Sequence, residues 1–324
     1  MDLLSIRSSN HDKITEHVVV HDVDHNCFDG LEVKSNFYFL RIVNDTYGLK
    51  EFVDYIDEQI VPFCIPVNIL ERDRKRYEKN GGIHKFSTEM RAKAINLFII
   101  SKKQRKKSGE VGELILFILQ EAFLNAPQVS CKMILKTNRA MAIHGSDGIH
   151  MTEKDGELCV LWGESKIYKD AKLAVKRIIE SIVSFNKPDE ESGIAPKDRD
   201  IQILRDFPNV PDKELEEKIL NYFDPYIESE KKEAYSCFIG FDLEKYTEIF
   251  SRDKDTITKT FKDEYNKQIK EICEAFSIQI KSANIDKFEF NFLLLPFESV
   301  ADLRSAFFAK IGFPDYQEYE ESDE

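Results

Sequence analysis

The sequence predicts an α/β protein, a mixed sheet flanked by helices, with an additional α+β region on its N-terminal side. Three observations predict it. Apolar runs such as AYSCFIGF at 234–241 and FEFNFLLLPF at 288–297 have strand length and are rich in β-branched and aromatic residues. The stretches between them carry apolar residues at helical spacing. Strands that are apolar on both faces and alternate with helices are those of a sheet covered on both sides.

Residues 1–108 form a first region, of α+β pattern. VVVHDVD and NFYFLRIV are expected strands, and 48–61 an expected helix carried by Leu49, Phe52, Val53 and Ile56 and ended by Pro62 and Pro66. The charged segment ERDRKRYEKNGG and the apolar run at 94–100 complete it.

The second region, 109–311, holds the candidate chemistry. GELILFILQEAFLN, at 112–125, is an expected helix with Glu113 near its start and Pro127 beyond its end. Expected strands follow at 130–137, from Asp147 onward, and at 158–168. A helix at 170–185 comes next, with apolar residues at 171, 174, 175, 178, 179 and 182. NKPDEESGIAPKDRD, at 186–200, reads as a polar insertion or loop. Further on come helices at 213–222, 256–276 and 300–311 and the two apolar strands. The acidic end, 312–324, is expected to be a disordered tail.

The 324 residues, 42% of them hydrophobic, suffice for a sizeable core. No apolar run has membrane-spanning length, and MDLLSIRSSNHDK lacks the basic head and apolar stretch of a leader, so a cytoplasmic protein without a membrane partner is expected. The six cysteines include no CxxC pair and read as reduced core residues. A net charge of −13 opposes an unaided grip on nucleic acid, since phosphate neutralisation supplies most non-specific affinity. Either a local basic patch compensates or a partner delivers the substrate. Candidate patches are 102–107 (KKQRKK) and Lys169, Lys172, Lys176 and Arg177, each of which also reads as a plain solvated surface.

The chemistry concentrates in HGSDGIHMTEKDGELCVLWGESKIY, at 144–168. Side chains alternate along a strand, so Glu164 and Lys166 project together and Ser165 points away. A turn at 152–156 between paired strands brings Asp147 toward Glu164, in a register that the sequence leaves open. Two carboxylates held together call for a cation between them, and a hard divalent ion with Lys166 beside it is what phosphodiester hydrolysis needs.

Simpler readings stand beside these: a surface ion pair for Lys166, a turn for Asp147 in Ser-Asp-Gly, and a favourable first-turn acid for Glu113. Trp162 reads as core, and His144 and His150 as incidental neighbours of Asp147. His17, His21 and His25, evenly spaced with Asp22, Asp24 and Cys27 nearby, form a competing zinc hypothesis, although the spacing fits no standard zinc module.

The order of a helix with Glu113, a strand, a strand with Asp147, a strand with Glu164-Ser165-Lys166 and a helix resembles the core of the PD-(D/E)xK nucleases, the restriction-endonuclease-like fold, over roughly 109–241. GELILFIL, GSDGIHM and LWGESKIY together look like the nuclease-like subunit family of the Hachiman anti-phage system, HamA. The broader resemblance implies that Asp147 and Glu164 bind Mg2+ or Mn2+, with the Ser165 carbonyl a third oxygen. It gives Lys166 the role of positioning the attacking water or stabilising the phosphate, and Glu113 that of an auxiliary helix acid. Gly145-Ser146 stand where that family carries proline before the aspartate, which weakens the literal motif.

The closer resemblance implies DNA as substrate and an ATP-using superfamily-two helicase, HamB-like, as the partner that controls the nuclease. This chain has no GxxxxGK loop of its own. Two alternatives stay open: a catalytically inactive nuclease-fold subunit that senses for or restrains the helicase, and a zinc-binding interaction protein built on the three histidines.

Overall fold

A computed structural model describes residues 3–7, 11–23, 27–44, 46–104, 109–133, 145–227, 231–251 and 254–314. In chain order it forms α1 (Ile14–His17), β1 (Val18–His21), β2 (Val33–Leu40), β3 (Ile42–Val43), β4 (Thr46–Tyr47), α2 (Leu49–Glu58), α3 (Ile60–Cys64), α4 (Val67–Lys79), α5 (Ile83–Gln104) and α6 (Glu110–Phe123). Then come β5 (Gln128–Ser130), β6 (Gly148–Lys154), β7 (Glu157–Tyr168), α7 (Ala171–Phe185), α8 (Pro196–Asp206) and α9 (Lys213–Tyr222). The chain ends with β8 (Lys232–Asp242), α10 (Tyr246–Phe250), α11 (Lys254–Ser282), β9 (Glu289–Phe297) and α12 (Val300–Lys310).

The principal sheet has seven strands in the order β1-β2-β9-β8-β7-β6-β5. It is mixed, as expected: β2 and β9 pair parallel, while β1 with β2, β5 with β6 and β6 with β7 pair antiparallel. The chain divides into two compact units, each assembled from separated stretches. The first takes Met1–His11, Glu58–Gly163 and Ser184–Ala234, and the second Asp12–Asp57, Glu164–Val183 and Tyr235–Glu324.

In the first unit α6 is buried on every face from Glu110 to Glu121. Leu114, Ile115, Leu116, Phe117, Ile118 and Leu119 are each at most 2% exposed, and burying each such side chain is worth about 1.5–3 kcal/mol. The helix lies close against the sheet where Gly163 pairs with Gly148, for a Cβ at Gly163 would stand 3.0 Å from a Leu116 methyl and 3.3 Å from the Gly148 backbone. The β6–β7 hairpin closes through Asp155 (φ 56°) and Gly156 (φ 81°), a two-residue turn with both residues left-handed that matches the strand twist and sets the register Lys154 to Glu157.

The second unit packs aromatic rings along β2, β9 and α11. Phe276 stacks on Phe292 with centroids 4.2 Å apart, and the Tyr47 hydroxyl donates to the Pro296 carbonyl at 2.7 Å.

Several expected boundaries move. ERDRKRYEKNGG belongs largely to α4, because its unbroken run of helix formers is supported by pairs such as Arg74–Glu78 (3.0 Å, one turn apart). The helix expected at 48–61 breaks at Gln59, and Pro62 sits buried inside the short α3 rather than ending a helix. The segment at 186–200 is not loop throughout, since Pro196 opens α8 at a position where its missing N–H costs nothing. Of the strand expected at 130–137 only Ser130 is strand, as the last residue of β5; 131–133 are not strand, and 134–144 lie outside the described residues.

Candidate active site

Asp147 precedes the first residue of β6, is partly exposed, and donates its backbone N–H to the Gly163 carbonyl at 2.8 Å. The residue before it is tied at every polar atom. Ser146 N–H and Oγ donate to Asp200 Oδ2 at 2.9 and 2.7 Å, and the Ser146 carbonyl accepts from Lys132 Nζ at 2.6 Å. Lys132 and Asp200 pair at 2.6 Å with side chains 5% and 1% exposed.

Neither Lys132 nor Asp200 stands out as a functional residue in the sequence. A signal for Asp200 existed: read as the start of a helix, PKDRDIQIL puts Asp200 on the face of Ile203 and Leu204, which marks it as a buried acid in search of a cation.

Glu113, in the first turn of α6, is 5% exposed and lines a narrow pocket together with Phe63, Leu116, Gln120, Gln128, Asp147 and His150. The fold therefore brings Glu113 and Asp147 to one pocket. Its lining mixes the apolar side chains of Phe63, Leu116 and Phe117 with these polar ones. Gln120 is fully buried, and neither its side-chain oxygen nor its nitrogen has a hydrogen-bond partner among the described residues.

His150 pairs its Nδ1 with the Ala126 carbonyl at 2.8 Å, so Nδ1 carries the proton. Burial pushes its pKa down to about 4 against the pull of Glu121. His144 lies outside the described residues.

Glu164, Ser165 and Lys166 close β7 and belong to the second unit. Gly163, whose carbonyl holds the Asp147 amide, is the residue covalently preceding Glu164. Lys166 Nζ pairs with Glu164 Oε1, as strand alternation requires of these two side chains, and also donates to the Ser165 carbonyl at 3.3 Å. The pair is partly exposed, 22% for the lysine side chain and 11% for the glutamate. The Cys237 thiol is pushed well up by burial and further by Glu164, so it is held neutral. Carboxylate and carbonyl oxygens, with the Cys237 thiol protonated, are a donor set suited to a hard cation. Among the described residues no three His, Cys, Asp or Glu side chains are grouped to hold a metal ion.

The histidine cluster is not assembled as the spacing suggested. His17 ends the helical turn α1 and stacks on Tyr55, whereas His21 ends β1, with its Nε2 2.7 Å from Asn266 Oδ1. A helical turn before the strand breaks the two-residue alternation that would have put both on one face. Asp24 and His25 lie outside the described residues. Trp162 is core, 1% exposed, with its indole N–H on Glu233 at 2.9 Å. Of the basic patches, Lys172, Lys176 and Arg177 pair with Glu271 and Glu180, while 105–107 lie outside the described residues. No helix among the described residues is long and apolar enough to cross a membrane.

A protein-family model described as HamA matches residues 12–311, nearly the whole chain. The chain belongs to the HamA family. HamA membership places it with the subunits of Hachiman anti-phage defence complexes and covers both compact units and every site residue named above. No curated protein matches it.

Proposed function

We propose that this HamA-family chain is the metal-dependent nuclease subunit of its defence complex, cleaving DNA phosphodiesters when a partner superfamily-two helicase releases or activates it. The observation that carries the reading is the end of β7. There Glu164 and Lys166 share one side of the strand, one residue past the carbonyl that holds the Asp147 amide.

Asp147, Glu164 and the Ser165 carbonyl would hold Mg2+ or Mn2+. When bound, such an ion supplies an ionised water and positive charge against the phosphate. Lys166 turns its ammonium from Glu164 to the non-bridging phosphate oxygens as charge builds there. Glu113, whose pocket Asp147 also lines, takes the part of the auxiliary helix acid. The net charge of −13 fits a subunit whose DNA contacts come mostly from the helicase, and the first 108 residues are the proposed docking region. The chain works in the cytoplasm, where both phage DNA and the helicase are found.

The second reading, an inactive subunit that restrains the helicase, draws on the ion pair in which Lys166 and Glu164 engage each other. One experiment separates them. The chain is co-purified with the product of the neighbouring gene, and Mg2+-dependent DNA cleavage is measured with and without ATP for the unaltered protein, Glu164→Gln and Lys166→Met. Cleavage lost in both variants supports the nuclease. Phage protection retained by both supports the restraining subunit.

A further inference from the structure

Two of the side chains that hold the backbone before Asp147, Lys132 and Asp200, lie outside every motif that points to catalysis. Lys132 follows β5, Ser146 precedes β6 and Asp200 lies in α8, so three distant segments converge, all within the first unit. Asp200 is fully buried and Lys132 is 4% exposed. One oxygen of Asp200 takes all three donors, Lys132 Nζ, Ser146 N–H and Ser146 Oγ, at 2.6, 2.9 and 2.7 Å. The lysine also reaches the Ser146 carbonyl at 2.6 Å. The Asp200 carboxyl is pressed against Gly145, where an added Cβ would lie 2.8 Å from Asp200 Cγ. The next residue is Asp147, whose own amide is bound to Gly163.

A buried ion pair is a poor means of gaining stability, because desolvation offsets the attraction, but it fixes geometry strongly. Here the fixed geometry is the backbone immediately before a carboxylate. We propose that Asp200 and Lys132 are positioning residues for Asp147: together they clamp Gly145-Ser146 so that the aspartate meets its divalent cation at one orientation. The proposal rests on the nuclease reading of Asp147. The clamp is an outer support of the kind that orients metal ligands by hydrogen bonds behind them.

The test uses the full-length protein. Mn2+ binding is measured by calorimetry, Mg2+-dependent cleavage of linear duplex DNA is assayed with the co-purified helicase present, and thermal melting is recorded alongside. Asp147→Asn is the reference and is expected to lose Mn2+ binding and cleavage. If it keeps both, the reading of Asp147 falls and the clamp falls with it.

The double variant Lys132→Met with Asp200→Asn removes both charges at nearly constant volume. It is expected to melt close to the unaltered protein, yet to weaken Mn2+ binding and raise the Mg2+ needed for half-maximal cleavage about 10–100-fold, with the KM for DNA unchanged. Gly145→Ala, which adds one methyl against Asp200, is expected to shift the same two quantities in the same direction. A folded double variant with ordinary Mn2+ affinity and Mg2+ dependence overturns the clamp and leaves Asp147 standing. Should the double variant not fold, Gly145→Ala decides, and a folded protein with unaltered Mn2+ affinity overturns the proposal.

Discussion

Two lysine–carboxylate pairs flank the candidate chemistry, and they differ in burial. Lys132–Asp200 is sealed, with side chains 5% and 1% exposed, and the acid oxygen that takes the lysine takes two serine donors as well. Lys166–Glu164 is 22% and 11% exposed and joins residues two apart on one strand. A third pair, Lys172–Glu271, is 57% and 59% exposed. The same two functional groups thus serve three purposes. Sealed from water, they hold backbone; at the margin, they are the pair proposed to meet a phosphate and an ion; in the open, they keep the surface hydrated. What decides among these is how much water each charge has surrendered and how many donors replace it.

The comparison breaks first, if it breaks, at Asp200. Asp200→Ala strands the Lys132 ammonium and two Ser146 donors and is expected to cost about 3–5 kcal/mol in urea unfolding, so a loss below about 1 kcal/mol would show that water reaches the pair.

His150 sharpens the same point, because it meets burial by staying neutral instead of pairing. Its pKa in the folded protein, about 4, lies below the ordinary histidine value of 6.5, so the unfolded chain binds more protons between those two pH values. Stability therefore falls as the pH drops from about 6.5 toward 4, by up to about 3 kcal/mol from this one residue, and His150→Gln is expected to flatten that part of the profile.

At the margin, Lys166→Met is expected to change stability by no more than about 1 kcal/mol while lowering the cleavage rate about 100- to 1,000-fold. Unfolding and cleavage measured on one preparation show whether the two effects separate. In the open, Lys172→Ala is expected to leave the urea midpoint where it was, and a measurable shift there would mean that exposure is not what ranks the three pairs.

Much of the fold was legible because its signals are local. The apolar spacing at 171, 174, 175, 178, 179 and 182 matches the buried face of α7 residue for residue, and the Asp-Gly turn identified the hairpin that carries Asp147 and Glu164. Strand alternation placed Lys166 on the Glu164 side. Where the reading stopped short, the cause was composition overshadowing periodicity. The charged run at 71–82 was read only as a charged segment, and most of it is α4. The proline and glycine of 186–200 hid the start of α8.

The residues of one strand or one helix are neighbours by covalent geometry, so the order of amino acids along the chain was enough for the α/β class, for the shared side of Glu164 and Lys166, and for the position of Glu113 in the first turn of its helix. Lys132 and Asp200 are 68 residues apart, and although helical spacing marks Asp200 as a buried acid, nothing local names Lys132 as its partner. Whether a charge is buried, what neutralises it and which backbone it then holds depend on segments that meet only when the chain closes on itself. Those matters belong to the tertiary structure alone.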